Sequence, residues 1–188
     1  MLKIRPIAAL SLLAVLAACA STVEQRVTIP VAEVQQKQRI AFGSVALREV
    51  SLPTYGGAEE VFIVNEFGLL SKSEGIFWAD DPTRAITLEM TRHLTQISGA
   101  RVASEPWPFE DSPQATVELR VEDMLAGTDG VFRLSGQYFV TSENGRNRAK
   151  LFDLEVPIQG ELGAASIAAA LARAVQDLAY EIARNGLR

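Results

Sequence analysis

Cysteine occurs once in these 188 residues, at position 19, and histidine once, at position 93. A single thiol closes no internal disulfide, so stability must come from a packed core. Zinc usually takes several Cys or His ligands, and one of each argues against a zinc site. A hydrolase triad needs a base beside its nucleophile, and His93 is the only histidine that could serve. Basic residues are also in deficit: 18 Lys and Arg stand against 23 Asp and Glu, a net charge of -5. An acidic chain suits neither nucleic acid, whose binding rests on cations neutralising phosphates, nor broad adhesion to anionic lipid. There is no glycine-rich phosphate loop. Tyr55-Gly56-Gly57-Ala58 lacks the lysine and the strand–helix setting. No cofactor is expected. Long apolar runs are missing too. The stretch from Pro6 to Ala18 is 13 residues, and a membrane-spanning helix needs ~20.

That short apolar run is nonetheless informative. Lys3 and Arg5 precede it and the small residues Ala17 and Ala18 close it. These are the three regions of a secretory signal. The lone cysteine follows immediately, and Leu16-Ala17-Ala18-Cys19 resembles a bacterial lipoprotein signal. Residues 1–18 are then a signal peptide, and Cys19 is the lipidation site and first mature residue. The alternative is an ordinary cleaved signal followed by a chance cysteine. Removing Lys3 and Arg5 leaves 16 basic against 23 acidic residues, a net charge near -7. Attachment to a membrane should come from several acyl chains, since one anchors only reversibly.

Residues 19–38 read as a lipid-anchored tether, and residues 39–188 as one domain. Val27 to Val31 is at most an edge strand, limited by Pro30. A strand is expected from Arg39 to Val50, with a bend at Gly43-Ser44 where the apolar parity switches. Glu60 to Asn65 is apolar on both parities, as in a strand covered on both faces. Phe67 to Ser73 and Arg101 to Ser104 are shorter candidates. Asp81 and Pro82 open a helix as N-cap and first residue; Ile86, Met90, Leu94 and Ile97 form its apolar stripe, and Gly99 ends it. Thr116 to Met124 alternates cleanly, with Val117, Leu119 and Val121 opposite Glu118, Arg120 and Glu122. Val131 to Thr141 and Ala149 to Ile158 follow, joined by the hairpin signal Asn144-Gly145. A final alanine-rich helix runs from about Ala164 to Arg184, with Gly186 as its stop. Five or six strands and two helices predict a two-layer α+β domain. Its mixed sheet should be mainly antiparallel, with both helices packed on one face.

Few residues suggest chemistry. His93 borders the apolar stripe of the first helix and reads as a packed helix residue. The acidic pairs Glu59-Glu60, Asp80-Asp81, Glu110-Asp111 and Glu122-Asp123 lack calcium-loop spacing. Each has a structural reading as turn, N-cap, Pro-rich loop or strand edge. No catalytic residue and no metal site is expected. Trp107 and Phe109 lie between prolines in a loop, where exposed aromatics mark a protein or lipid contact; the competing reading is that they plug the end of a core.

The order of features resembles the ABC-type transport auxiliary lipoproteins, which include the paraquat-inducible protein C type. The resemblance rests on Leu16-Ala17-Ala18-Cys19, Val45-Ala46-Leu47 followed by Leu52-Pro53-Thr54-Tyr55, Phe77-Trp78-Ala79-Asp80 before the helix, the strand Val117 to Val121, and the terminal helix. It implies a non-enzymatic lipoprotein of the bacterial envelope. The implied partners are an MCE-domain protein and an ABC permease and ATPase that move lipid between two membranes. The implied role is to dock the MCE component from the outer membrane, facing the periplasm. Ala20 after the cysteine fits outer-membrane export under the enterobacterial sorting rule. A ring-shaped MCE partner would favour self-association. The alternative is a structural envelope lipoprotein that supports another machine, and an unrecognised hydrolase using His93 is a third reading.

Overall fold

The computed structural model describes residues 24–188, so Cys19 and the signal segment lie outside the described residues. The described residues form eight strands and two helices, each helix following four strands: β1 (Gln25–Val27), β2 (Ser44–Leu47), β3 (Glu60–Val64), β4 (Leu70–Trp78), α1 (Pro82–Ser98), β5 (Arg101–Ser104), β6 (Ala115–Gly127), β7 (Val131–Ser142), β8 (Arg148–Pro157) and α2 (Ala164–Glu181). All eight strands form one sheet.

β6 is its trunk. Along one edge it pairs antiparallel with β7, which pairs antiparallel with β8. This is the predicted meander, and Gly145 takes a left-handed φ of 74° in its second turn. The other edge of β6 is shared end to end by two parallel strands. β2 pairs with its start, from Val45↔Ala115 to Leu47↔Val117, and β3 with its end, Ile63↔Ala126 and Val64↔Gly127. Between them the loop at Ser51 lies on β6: Ser51 N–H donates to Leu119 O at 3.0 Å, and Val121 N–H donates to Ser51 O at 2.8 Å. β5 adds parallel to β2, β4 antiparallel to β3, and β1 parallel to β4.

The expected mainly antiparallel sheet is therefore corrected. It is a mixed, mostly parallel sheet: the β1–β4, β2–β5, β2–β6 and β3–β6 pairings are parallel, and three others antiparallel. Antiparallel neighbours are joined by short turns that a sequence displays. Parallel neighbours need crossovers and leave no local mark. The expected strand Arg39 to Val50 shrinks to Ser44–Leu47, because residues just before it pair elsewhere: Gln38 N–H reaches Ile97 O and Ala41 N–H reaches Leu187 O. The expected strand at Phe67 starts later, at Leu70, and runs through Trp78.

Both helices begin and end on local chemistry. The Asp81 carboxylate accepts from Arg84 N–H at 2.8 Å, and Gly99 ends α1 at φ 70° with its N–H on Thr95 O. α2 closes in a π turn, Ile182–Gly186. Gly186 is required there by close approach. A Cβ would sit 2.9 Å from the Tyr138 ring. The predicted stripe Ile86, Met90, Leu94 and Ile97 of α1 is buried, as is the stripe Ile167, Leu171, Val175, Leu178 and Ile182 along α2, in one core with Val117, Leu119, Leu134 and Tyr138. The two helices share that core, α1 against β5 and α2 against one face of the meander. Its other face stays wet, with Arg48 and Arg120 on Glu118 (both 2.7 Å) and Arg133 on Asp129 and Glu155.

β6 and β7 slip register between Val121 and Asp123. Buried positions before the slip are Val117, Leu119 and Val121; after it they are Met124 and Ala126. The bulge keeps both halves of a 13-residue strand facing the same core.

Candidate functional site

Three features outside the ordinary core merit description. The first is the aromatic loop between β5 and β6. Trp107 and Phe109 meet edge to face, with ring centroids 4.9 Å apart. The Arg101 guanidinium lies over Phe109 at 4.6 Å and near Trp107 at 5.8 Å. It also pairs with Asp111, whose backbone oxygen accepts from the Trp107 indole at 2.6 Å. The structure thus brings the two predicted aromatics together and braces them with a cation. Phe109 remains 41% exposed. Trp78, by contrast, is buried at the end of β4 and belongs to the core.

The second feature surrounds His93. It is 1% exposed, and its Nε2 lies 3.8 Å from Glu89 Oε2, one helical turn earlier. His93 Nδ1 and Glu89 Oε2 have no hydrogen-bond partner. Burial raises the Glu89 carboxyl above its usual range, against the pull of Arg92; burial and then Arg92 lower the His93 imidazole. Above Glu89 opens a cavity of about 160 Å³, whose walls include Val27, Ile29, Trp78, Leu88 and Arg92. No hydroxyl or thiol is hydrogen-bonded to His93 Nδ1 among the described residues. None of the described residues forms a group of three or more His, Cys, Asp and Glu able to hold a metal. Glu89 was hidden in the sequence. Its inward position showed only in its spacing from Ile86 and His93 on the buried side of α1.

The third feature is the N-terminal stretch. The sequence predicts a tether to residue 38, yet from Gln25 onward the chain lies on the domain. β1 pairs with β4, and Val27, Ile29 and Val34 pack on the core. Gln36 exchanges two hydrogen bonds with the Tyr180 phenol, and the Gln176 side chain donates to Glu33 O at 2.7 Å. Scattered valines at irregular spacing gave no period from which to read this docking.

The Leu52–Tyr55 motif docks near the bulge. The Tyr55 phenol donates to Asp123 Oδ1 at 3.0 Å, and its ring meets Phe62 edge to face. Burial, and next the Asp123 bond, push this phenol up to about 12.

Residues 27–183 match the family of ABC-type transport auxiliary lipoprotein components. The chain belongs to that family. It is an auxiliary lipoprotein of an ABC-type transport system in the cell envelope, and the match takes in the docked stretch from Val27. No protein of curated function matches it. Two crystal structures share the fold. An uncharacterized protein, 19% identical, superposes with a TM-score of 0.72 over 86% of this chain and 97% of its own. A Xanthomonas campestris protein of the DUF330 family, 15% identical, gives 0.66 over 87% and 95%.

Proposed function

We propose that this auxiliary lipoprotein docks the MCE component of an intermembrane lipid transport system from the periplasmic face of the outer membrane. In this reading residues 1–18 are removed and Cys19 carries the acyl anchor. Residues 20–23 and Glu24 link it to a domain that takes in the remainder. The carrying observation is the family match over residues 27–183. Transport accessories work by contact, and two surfaces suit contact: the wet face of the meander and the Arg101–Trp107–Phe109 cluster. The cluster offers a cation laid over a pair of touching rings, and both can pack against a partner's side chains. Self-association around a ring-shaped MCE partner completes the proposal.

The second reading is a structural lipoprotein that supports another envelope machine. The ion-paired sheet face serves that role equally well. Gene neighbourhood separates the two, since permease, ATPase and MCE genes beside this one belong only to the first. The anchor has its own test. A chain exported through an ordinary cleavable signal with Cys19→Ser should leave the membrane fraction and keep its melting temperature.

A further inference from the structure

The turn joining β3 to β4 presents apolar side chains outward. Phe67 is 77% exposed, Leu69 64% and Leu70 41%. The turn is built rather than loose. Asn65 Oδ1 accepts from the amides of Phe67 and Leu69, both at 3.0 Å, Asn65 O accepts from Gly68 N–H, and Asn65 N–H donates to Leu69 O. Gly68 supplies the left-handed φ of 75° that this turn needs. A turn in water has no need to satisfy its amides internally. One that enters an apolar phase does, because each unpaired polar group there is costly.

The direction of the chain says which phase. β1 runs parallel to β4, so the chain enters β1 from the end of the sheet that carries this turn. Arg26 is level with Phe77, and Phe77 with Glu60. From Glu60, β3 climbs four residues to Val64, ~13 Å at ~3.3 Å per residue, and the turn extends beyond. Seven steps of the chain lead from Cys19 to Arg26. Whatever path they take, they span at most ~25 Å at ~3.6 Å each. A membrane that holds Cys19 therefore lies within reach of the turn.

We infer that Phe67, Leu69 and Leu70 form a second foot of the domain, inserting into the surface of the membrane that holds the anchor. The inference rests on the reading of Cys19 as that anchor. Three apolar side chains are a small surface alone. Tethering raises their effective concentration at the membrane, as in any bivalent contact. The acidic neighbour Glu66 and the net acidic chain suit a zwitterionic surface. The foot fixes the domain's orientation, with the sheet end at β3–β4 toward lipid and the opposite end, which carries the start of β6, toward the periplasm.

Cys19 is the only cysteine, so the mature chain without acyl groups couples through it to maleimide-headgroup lipid in phosphatidylcholine vesicles. Phe67→Trp places an indole on the turn, and the same vesicles made with brominated acyl chains quench an indole that enters them. The wild-type chain, coupled identically, gives the baseline of Trp78 and Trp107. The expected result is a blue shift and a loss of intensity beyond that baseline, both abolished when Leu69→Ser and Leu70→Ser are added. An unshifted, unquenched indole in a chain that melts normally overturns the inference, and directs the turn to a protein partner instead. Chemical coupling makes this result independent of acylation in the cell. The mass of the N-terminal peptide from membranes tests that separately.

Discussion

The Tyr180 phenol grips the backbone of Gln36 from both sides, accepting from its N–H at 3.0 Å and donating to its C=O at 3.2 Å. One side chain on α2 thus satisfies a residue 144 positions earlier and holds the N-terminal stretch on the domain. Tyr180→Phe removes both bonds and leaves the ring in place. The expected cost is ~1 kcal/mol, together with faster amide exchange around residues 33–38. Unchanged exchange there would show that Val34 and Gln176 hold the stretch without the phenol.

Leu171 sits fully buried where α2 meets the rest of the core. Leu171→Ala should cost roughly 2–5 kcal/mol, the sum of lost transfer energy and the cavity left behind. Chemical denaturation reads this as a lower midpoint at an unchanged slope. An unaltered midpoint would take α2 out of the core.

Gly136 faces the bulge of β6 at φ 154°, and a Cβ there would lie 2.2 Å from Arg120 O. Gly136→Ala adds that clash to a dihedral cost of ~1–3 kcal/mol. The variant should fail to fold, or melt far below the parent, as circular dichroism would record. A parent-like melt would mean the β6–β7 ladder shifts freely at the bulge.

The helices and the meander were legible because their signals are local. Asp81-Pro82, Gly99, the two apolar stripes and Asn144-Gly145 each act within a few residues of their own element. The parallel half was not. β2 contributes four residues whose partners lie at 101–104 and 115–117, and nothing near Val45 encodes that distance. The loop aromatics Trp107 and Phe109 were visible as apolar residues between prolines, but their bracing by Arg101 was not. Phe67-Gly68-Leu69-Leu70 read as a strand because exposed apolar residues and strand residues look alike in one dimension. Glu89 carries no local signal of its burial, because an acid on a helix is ordinarily solvated.

Burial holds the Glu89 carboxyl above its ordinary value of 4.5, so the fold favours its neutral form. That contribution is fully present below pH ~4.5 and is lost as pH rises through the raised folded value. His93 has the opposite sign: its contribution is present above its ordinary 6.5 and is lost as pH falls through the lowered folded value. Glu89→Gln leaves a neutral group of the same shape. It should raise the melting temperature at pH 7, and the gain should shrink toward pH 4 as the wild-type carboxyl takes up its proton. A lower melting temperature at pH 7 would show that Arg92, 3.5 Å from Glu89 Oε1, outweighs the cost of burying the unpartnered Oε2.

The most direct test of the proposed role is purification of the full-length, membrane-extracted chain in mild detergent, from cells that contain its MCE and ABC components. The account predicts recovery of the MCE-domain protein with it. Recovery should weaken when Arg101→Ala and Phe109→Ala are combined in a chain that still folds and still sediments with membranes. Repeated recovery of the lipoprotein alone, or with the parts of a different envelope machine, would contradict it.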